Sequence, residues 1–323
     1  MRRGRSPFFV FIMRSERGGL LALLLVTMVW GTTFPAMKLL SEHLTALEII
    51  WLRFAIAAVV MLPLWRGMTR AEWRWGLMLG VLNFIAFWLQ IEGLTQTSSN
   101  RNAFVTGLNV LIVPVIAWLV LRRQMGWQVW GACALAVAGM ALMFFEDAPW
   151  NWGDTLTLGC AVVYACYILC MEAAALRNQH APLRASRMAT ALAASMLACT
   201  TLMLLVQPQG LQGLAQAAQS LSTVNWLAMV YLGVMASALV VVLQAWGQQR
   251  VDAMRSAITY GLEPVFASLT AWFLINEQMG MVAMLGAALI VAALIFSQWT
   301  PTSQILLIRK AKNPLPTISK QKS

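Results

Sequence analysis

The stretch Arg255–Gly280, RSAITYGLEPVFASLTAWFLINEQMG, lies without a gap on an earlier one, Arg101–Gly126, RNAFVTGLNVLIVPVIAWLVLRRQMG, when the chain is shifted by 154 residues. Arg101/Arg255, Ala103/Ala257, Gly107/Gly261, Leu108/Leu262, Ala117/Ala271, Trp118/Trp272, Gln124/Gln278, Met125/Met279 and Gly126/Gly280 coincide. The same shift aligns Leu89/Leu243, Gln90/Gln244 and Gly93/Gly247, and a weaker shift of 134 aligns Met37/Met171 and Arg53/Arg187. The chain is therefore a duplication. Its second copy carries Glu263 followed at once by Pro264, in the middle of an apolar run. A carboxylate at mid-membrane depth costs about 2.5–3.5 kcal/mol on insertion scales. Proline there removes a backbone N–H and collides with the carbonyl four residues back, at Tyr260. Two costly features side by side point to a site. The alternative is that Glu263 stays protonated, or pairs with a neighbouring helix, and only holds a bundle together.

The bulk composition supports a membrane setting. Of 323 residues 60% are hydrophobic and 11% charged, with a mean hydropathy of +0.70, whereas soluble domains carry about 25% charged residues. Ten apolar runs are near the ~20 residues a bilayer requires: 18–39, 46–65, 74–94, 101–121, 126–145, 153–174, 185–206, 225–248, 253–275 and 279–299. The net charge of +11 does not point to nucleic acid, because the basic residues lie in short clusters between these runs. Cys133, Cys160, Cys166, Cys170 and Cys199 all fall inside apolar runs, with no histidine beside them, and read as small buried hydrophobes. Residues 1–17 are basic, Met13 offers a second start, and the tail 300–323 is polar and basic.

The positive charges orient the chain. With the N-terminus inside, 20 of the 23 Lys and Arg fall on the inner side; Arg101 alone sits at an outer loop, while Lys38 and Arg53 lie within spans. That predicts both termini in the cytoplasm. Five spans in each half, 18–145 and 153–299, give the two copies opposite topology, and the charges follow: Arg122 and Arg123 in the first become Asn276 and Glu277 in the second. Inverted repeats with broken helices at the midplane are a recurring build of secondary transporters. The uncharged connection 207–224 is expected at the outer surface.

Polar residues gather on particular spans. Ser256, Tyr260, Glu263, Ala267 and Thr270 share one helical face, and Asn102, Thr106, Asn109 and Val113 occupy the equivalent places of the fourth span. Asn83 and Ser237 form another equivalent pair, as do Gln90 and Gln244. Trp30-Gly31-Thr32-Thr33 and Pro35 predict an interrupted first span, with Tyr164 and Tyr167 at the matching places of the sixth. Each Thr or Asn taken alone is as readily a bond to a neighbouring helix. Lys38 and Arg53 lie toward the outer side and can snorkel; the alternative for Arg53 is to attract an anionic group. Spans five and ten, GACALAVAGMALM and MLGAALIVAALIF, are nearly free of polar residues and read as scaffold or as the face of a homodimer.

These motifs resemble the ten-span drug/metabolite transporter superfamily, in particular its EamA-type branch, from about Gly18 to Gln298. The resemblance rests on Trp30-Gly31-Thr32-Thr33-Phe34, Leu52-Arg53-Phe54, Arg255-Ser256-Ala257, Leu262-Glu263-Pro264-Val265-Phe266-Ala267 and Asn276-Glu277. Arg122-Arg123 departs from the acidic end usual in the first half. The resemblance implies export of amino acids and related small metabolites from a bacterial inner membrane, with other members moving sugars, nucleobases or drugs.

The expectation is thus an all-α, ten-helix membrane protein whose central cavity lies between inverted repeats. Trp30, Tyr164, Tyr260 and Trp246 would wall it, and Thr33, Asn83 and Asn109 would hydrogen-bond the substrate. Glu263 would meet an amine or carry a proton, with Arg53 and Lys38 as further charged candidates. No P-loop, metal-ligand cluster or cofactor motif is evident, and His43 and His180 fall in loops. The partners expected are a small metabolite and the lipid bilayer, not nucleic acid. The rival class, a membrane enzyme acting on lipid-soluble substrates, would need a clustered nucleophile or facing acids, and neither G-x-S-x-G nor an intramembrane acidic pair occurs.

Overall fold

A computed structural model describes residues 16–144, 149–178, 180–275 and 280–298. Met13, Glu146, Asp147, Asn276, Glu277 and the basic tail from Thr300 lie outside the described residues. Every regular element among them is helical. The first apolar run is interrupted, as its sequence predicts: α1 (Glu16–Gly31) stops before Thr32 and α2 (Thr33–Ser41) follows. Then come α3 (Ala46–Met61) with a 3-10 turn over Leu62–Trp65, and α4 (Arg70–Gln96). The next run is split into α5 (Ser99–Gly107) and α6 (Asn109–Leu119), and α7 (Trp127–Phe144) follows. The second half comprises α8 (Trp152–Arg177), α9 (Ala185–Leu205), α10 (Gly210–Ser220), α11 (Thr223–Gly233) and α12 (Val240–Gln248). Val234–Leu239 forms a π turn between the last two. It ends with α13 (Ala253–Tyr260), α14 (Glu263–Ile275) and α15 (Met281–Gln298).

Among the described residues six helical stretches are long and apolar enough to cross a bilayer, and Trp127–Met143 and Met281–Ser297 are shorter apolar helices. The starts of several helices are written in the sequence. Thr45 with Glu48, Thr69 with Glu72 and Asn151 with Asp154 form reciprocal capping boxes, which satisfy orphan N–H groups at a helix entry. The connection 207–224 contains a short helix, α10, whose one buried side chain is Leu214.

The two split runs break at equivalent places, after Gly107 and after Tyr260, where the pairs Gly107-Leu108 and Gly261-Leu262 stand 154 apart. The break is made the same way in each. Leu108 N–H donates to Val105 O at 3.2 Å and Leu262 N–H to Thr259 O at 3.1 Å, closing a tight turn before a new helix starts.

The main core joins α1–α6 and α8–α13. A second cluster joins α7 and α15 to α6 and α13 through Val110, Cys133, Met140, Ile258 and Ile290. The small residues of α7 and α15 face each other. A Cβ on Gly139 would lie 2.6 Å from the Gly286 carbonyl oxygen and 2.7 Å from Ile290. That part of the expected association face is therefore used within the chain. Met281, Val282, Leu285 and Trp127 are left exposed, as side chains facing lipid would be.

Because Gly139 is in backbone contact, Gly139→Leu is expected to separate α7 from α15. Overpacking of this kind costs about 1–3 kcal/mol. A thermal unfolding scan of the detergent-solubilised protein should show a lowered midpoint, and an unchanged midpoint would remove the glycine contact from the forces that hold α7 to α15.

Candidate functional site

Four aromatic side chains meet where the broken helices cross. Trp30, the penultimate residue of α1, lies with its ring 5.8 Å from Tyr164 of α8, edge to face, and 5.2 Å from Tyr260, the last residue of α13. Tyr164 lies 6.3 Å from Tyr260 and stacks on Tyr167 at 5.3 Å. Ring pairs at such separations contribute about 0.5–1.5 kcal/mol beyond their burial. Gln244 of α12 orders the tyrosines: its Oε1 accepts from Tyr167 OH at 3.0 Å and its Nε2 donates to Tyr164 OH at 2.6 Å.

Beside this cluster is a narrow cavity. Trp30, Thr33 and Met37 come from the first broken run, Arg53 from α3, and Ala86, Phe87 and Gln90 from α4. Thr106 and Asn109 flank the break between α5 and α6, Cys160 and Tyr164 lie on one face of α8, and Glu263 opens α14. Its volume is about 40 Å³, roughly the room of three or four waters at about 10–15 Å³ each. Asn109 and Glu263 are each the first residue of a helix whose N-terminus opens at this depth. Such ends present unpaired N–H groups and a partial positive charge. Among the described residues, Trp30 Nε1 and Asn109 Oδ1 are buried without a hydrogen-bond partner, and buried polar atoms of that kind call for an explanation. No three His, Cys, Asp or Glu side chains among the described residues gather closely enough to ligate a metal.

Arg53 does not snorkel. Its side chain turns inward and the residue is 1% exposed. Nε donates to Ser237 Oγ at 2.8 Å and Nη2 to the Ala236 carbonyl at 3.2 Å, while Nη1 faces only the Met37 thioether at 3.7 Å. The guanidinium also lies 4.7 Å from the Phe87 ring centre. Both acceptors lie on the π turn Val234–Leu239, a helix distortion found often at functional sites. Ser237 Oγ in turn donates to Leu232 O at 2.8 Å. Among the described residues no ion pair engages Arg53 or Glu263.

The structure thus gathers Trp30, Thr33, Asn109, Tyr164, Glu263 and Arg53 around one cavity, with Tyr260 packed against two of its aromatic members. It places three other candidates elsewhere. Asn83 is buried with its amide on Met196 Sδ at 3.1 Å, Lys38 Nζ donates to the Leu94 carbonyl at the end of α4, and Trp246 lies under Arg250, 4.0 Å from the guanidinium. Sequence reasoning missed Met37, Phe87 and Cys160. Two of these had a signal, since Met37 stands one turn after Thr33 and Cys160 one turn before Tyr164.

The EamA-like transporter family model matches residues 17–145 and again residues 151–299. An uncharacterized transporter of Archaeoglobus fulgidus is 25% identical over 275 residues, covering 85% of this chain and 84% of its own length. The uncharacterized transporter YwfM of Bacillus subtilis is 26% identical over 302 residues, covering 88% of this chain and 95% of its own. One solved crystal structure superposes on 93% of this chain and all of its own with a TM-score of 0.68 at 16% identity, a likeness of fold.

Gln244 binds both Tyr164, which lines the cavity, and Tyr167, which stacks on it. Gln244→Leu leaves both hydroxyls without this partner, at about 1–3 kcal/mol for buried unsatisfied groups. The variant is expected to melt earlier in detergent, and a melting curve superimposable on the wild type would show that the tyrosines are held by packing alone.

Proposed function

Because this chain belongs to the EamA-like transporter family, we propose that it is a secondary transporter that exports amino acids or related small metabolites by alternating access. It has ten spans in two inverted five-helix repeats, 18–145 and 153–299, with both termini in the cytoplasm of a bacterial-type inner membrane. The observation that carries this reading is the cavity itself, which lies between two helix breaks 154 residues apart and is lined by polar groups left without partners. Secondary transporters bind substrate at such broken helices near the midplane.

Each residue has a part in this proposal. Trp30, Tyr164 and Tyr260 wall an apolar portion of the substrate. Thr33 and Asn109 hydrogen-bond its polar groups. Glu263 meets an amine or carries the coupled proton, and Arg53, whose Nη1 has only a thioether beside it, attracts an anionic group. Asn83 and Lys38 stand off the cavity and position α9 and the end of α4. With about 40 Å³ open to water, a metabolite enters only as side chains and helices move, which suits an occluded stage of the cycle.

The test is efflux from proteoliposomes loaded with candidate amino acids, chosen by untargeted profiling of medium from cells with and without the protein. Accumulation of no metabolite outside, from well-folded protein, would sink the exporter reading. Glu263→Gln is expected to abolish pH-dependent flux at normal expression. A wild-type pH profile in that variant would reduce Glu263 to a structural role.

A further inference from the structure

We infer that the cavity is closed at its two ends by a matched pair of glycine crossings, Gly93 on Gly153 and Gly247 on Gly19, each latched by an arginine–carboxylate pair, and that these crossings are the two gates. The inference rests on the transport reading above and assigns the gating residues.

At one end α4 crosses α8. A Cβ on Gly93 would lie 2.4 Å from Thr157 Oγ1 and 2.8 Å from the Gly153 carbonyl oxygen. At the other, α12 crosses α1, and a Cβ on Gly247 would lie 2.6 Å from Leu23 Cδ2 and 3.0 Å from the Gly19 carbonyl oxygen. The crossings are equivalents under the repeat. Gly93 and Gly247 stand 154 apart, while Gly19 and Gly153, like Leu23 and Thr157, stand 134 apart.

The latches follow the same relation. Arg101 Nε lies 2.8 Å from Asp154 Oδ1, which also accepts from Thr97 Oγ1 at 3.2 Å. Its equivalent, Arg255, pairs with Glu16 at the start of α1 and lies 3.7 Å from Asp252. Both helices are also capped alike: Arg101 N–H donates to the N-cap Ser98 Oγ and Arg255 N–H to the N-cap Asp252 Oδ1, and Ser98 and Asp252 again stand 154 apart. Glu16 sits one helical turn before the position equivalent to Asp154, on the same face. Gly19 and Gly153 each precede their cavity aromatic, Trp30 and Tyr164, by eleven residues, about 16 Å along a helix. In the proposed orientation α1 starts inside and α8 outside, so the gates lie at opposite faces. Both are shut here, in keeping with the small cavity.

Where helix backbones are in direct contact, a methyl group added at the crossing has nowhere to go. Adding one should therefore spring open its own gate and, through the shared cavity, favour closure of the other. The test uses Cys160, which lines the cavity, as the single thiol, with Cys133, Cys166, Cys170 and Cys199 replaced by alanine. A membrane-impermeant thiosulfonate is applied to right-side-out and to inside-out vesicles, without substrate. Gly93→Ala is expected to raise labelling from outside severalfold and to lower it from inside; Gly247→Ala is expected to do the reverse. Arg101→Gln and Arg255→Gln, which release the latches and leave the glycine crossings unaltered, are expected to give the same two signs more weakly, and they decide the matter if a glycine variant fails to fold. Labelling that changes in the same sense in both variants, or in neither, overturns the assignment. The readout needs no flux, so a failure to find a transported metabolite is a separate result.

Discussion

In the interior of a membrane a backbone carbonyl or N–H has no water to bond, so an interrupted helix survives only where it is buried in protein or lines a cavity. The breaks at Gly107-Leu108 and Gly261-Leu262 meet that condition together, because both open onto the same cavity. The constraint also resolves Glu263-Pro264. Glu263 opens α14 and Pro264 is its second residue, where the missing N–H is one that a helix start leaves unpaired in any case. A carboxylate at that end is favoured by the helix dipole, by about 0.3–1 kcal/mol in exposed cases. Two features that are expensive inside a helix are tolerable at the start of one.

Around the cavity the two halves are joined by polar links as well as by the shared apolar core. Arg53 of the first half is fastened to Ser237 and Ala236 of the second, Asn102 donates to Thr157 Oγ1 at 2.8 Å, and Thr32 bonds the Tyr231 hydroxyl. Between helices in lipid such bonds average about 0.6 kcal/mol each, enough to set register and little enough to be exchanged. The apolar α7–α15 pair, by contrast, is held by close glycine contact and contains none of the cavity's lining.

Much of this was legible in the chain. Trp30, Thr33, Asn109, Tyr164, Tyr260 and Glu263 were identified from the repeat and from three- and four-residue spacing, and they do converge. The break near Thr32 and the three capping boxes were also written locally. Asn83 shows where that kind of reasoning stops. Its depth in the helix was clear, but the rotation of α4 turns its amide to Met196 on α9. Arg53 shows the same for direction, since the acceptors that hold its guanidinium inward, Ser237 and the Ala236 carbonyl, are 184 and 183 residues away.

Sequence by itself determined what depends on near neighbours and on self-comparison. That includes the apolar, helical, membrane character of the chain, its duplication, the weak points of its helices and most of the cavity's polar residues. Tertiary structure alone decided which faces of those helices meet, which of the charged residues turn inward, and that glycines far apart in the chain bring helix backbones into contact. The reason is physical: periodicity places a side chain on its own helix, but which neighbour it meets is set by how whole helices rotate and cross, a balance of many small contacts spread over the chain.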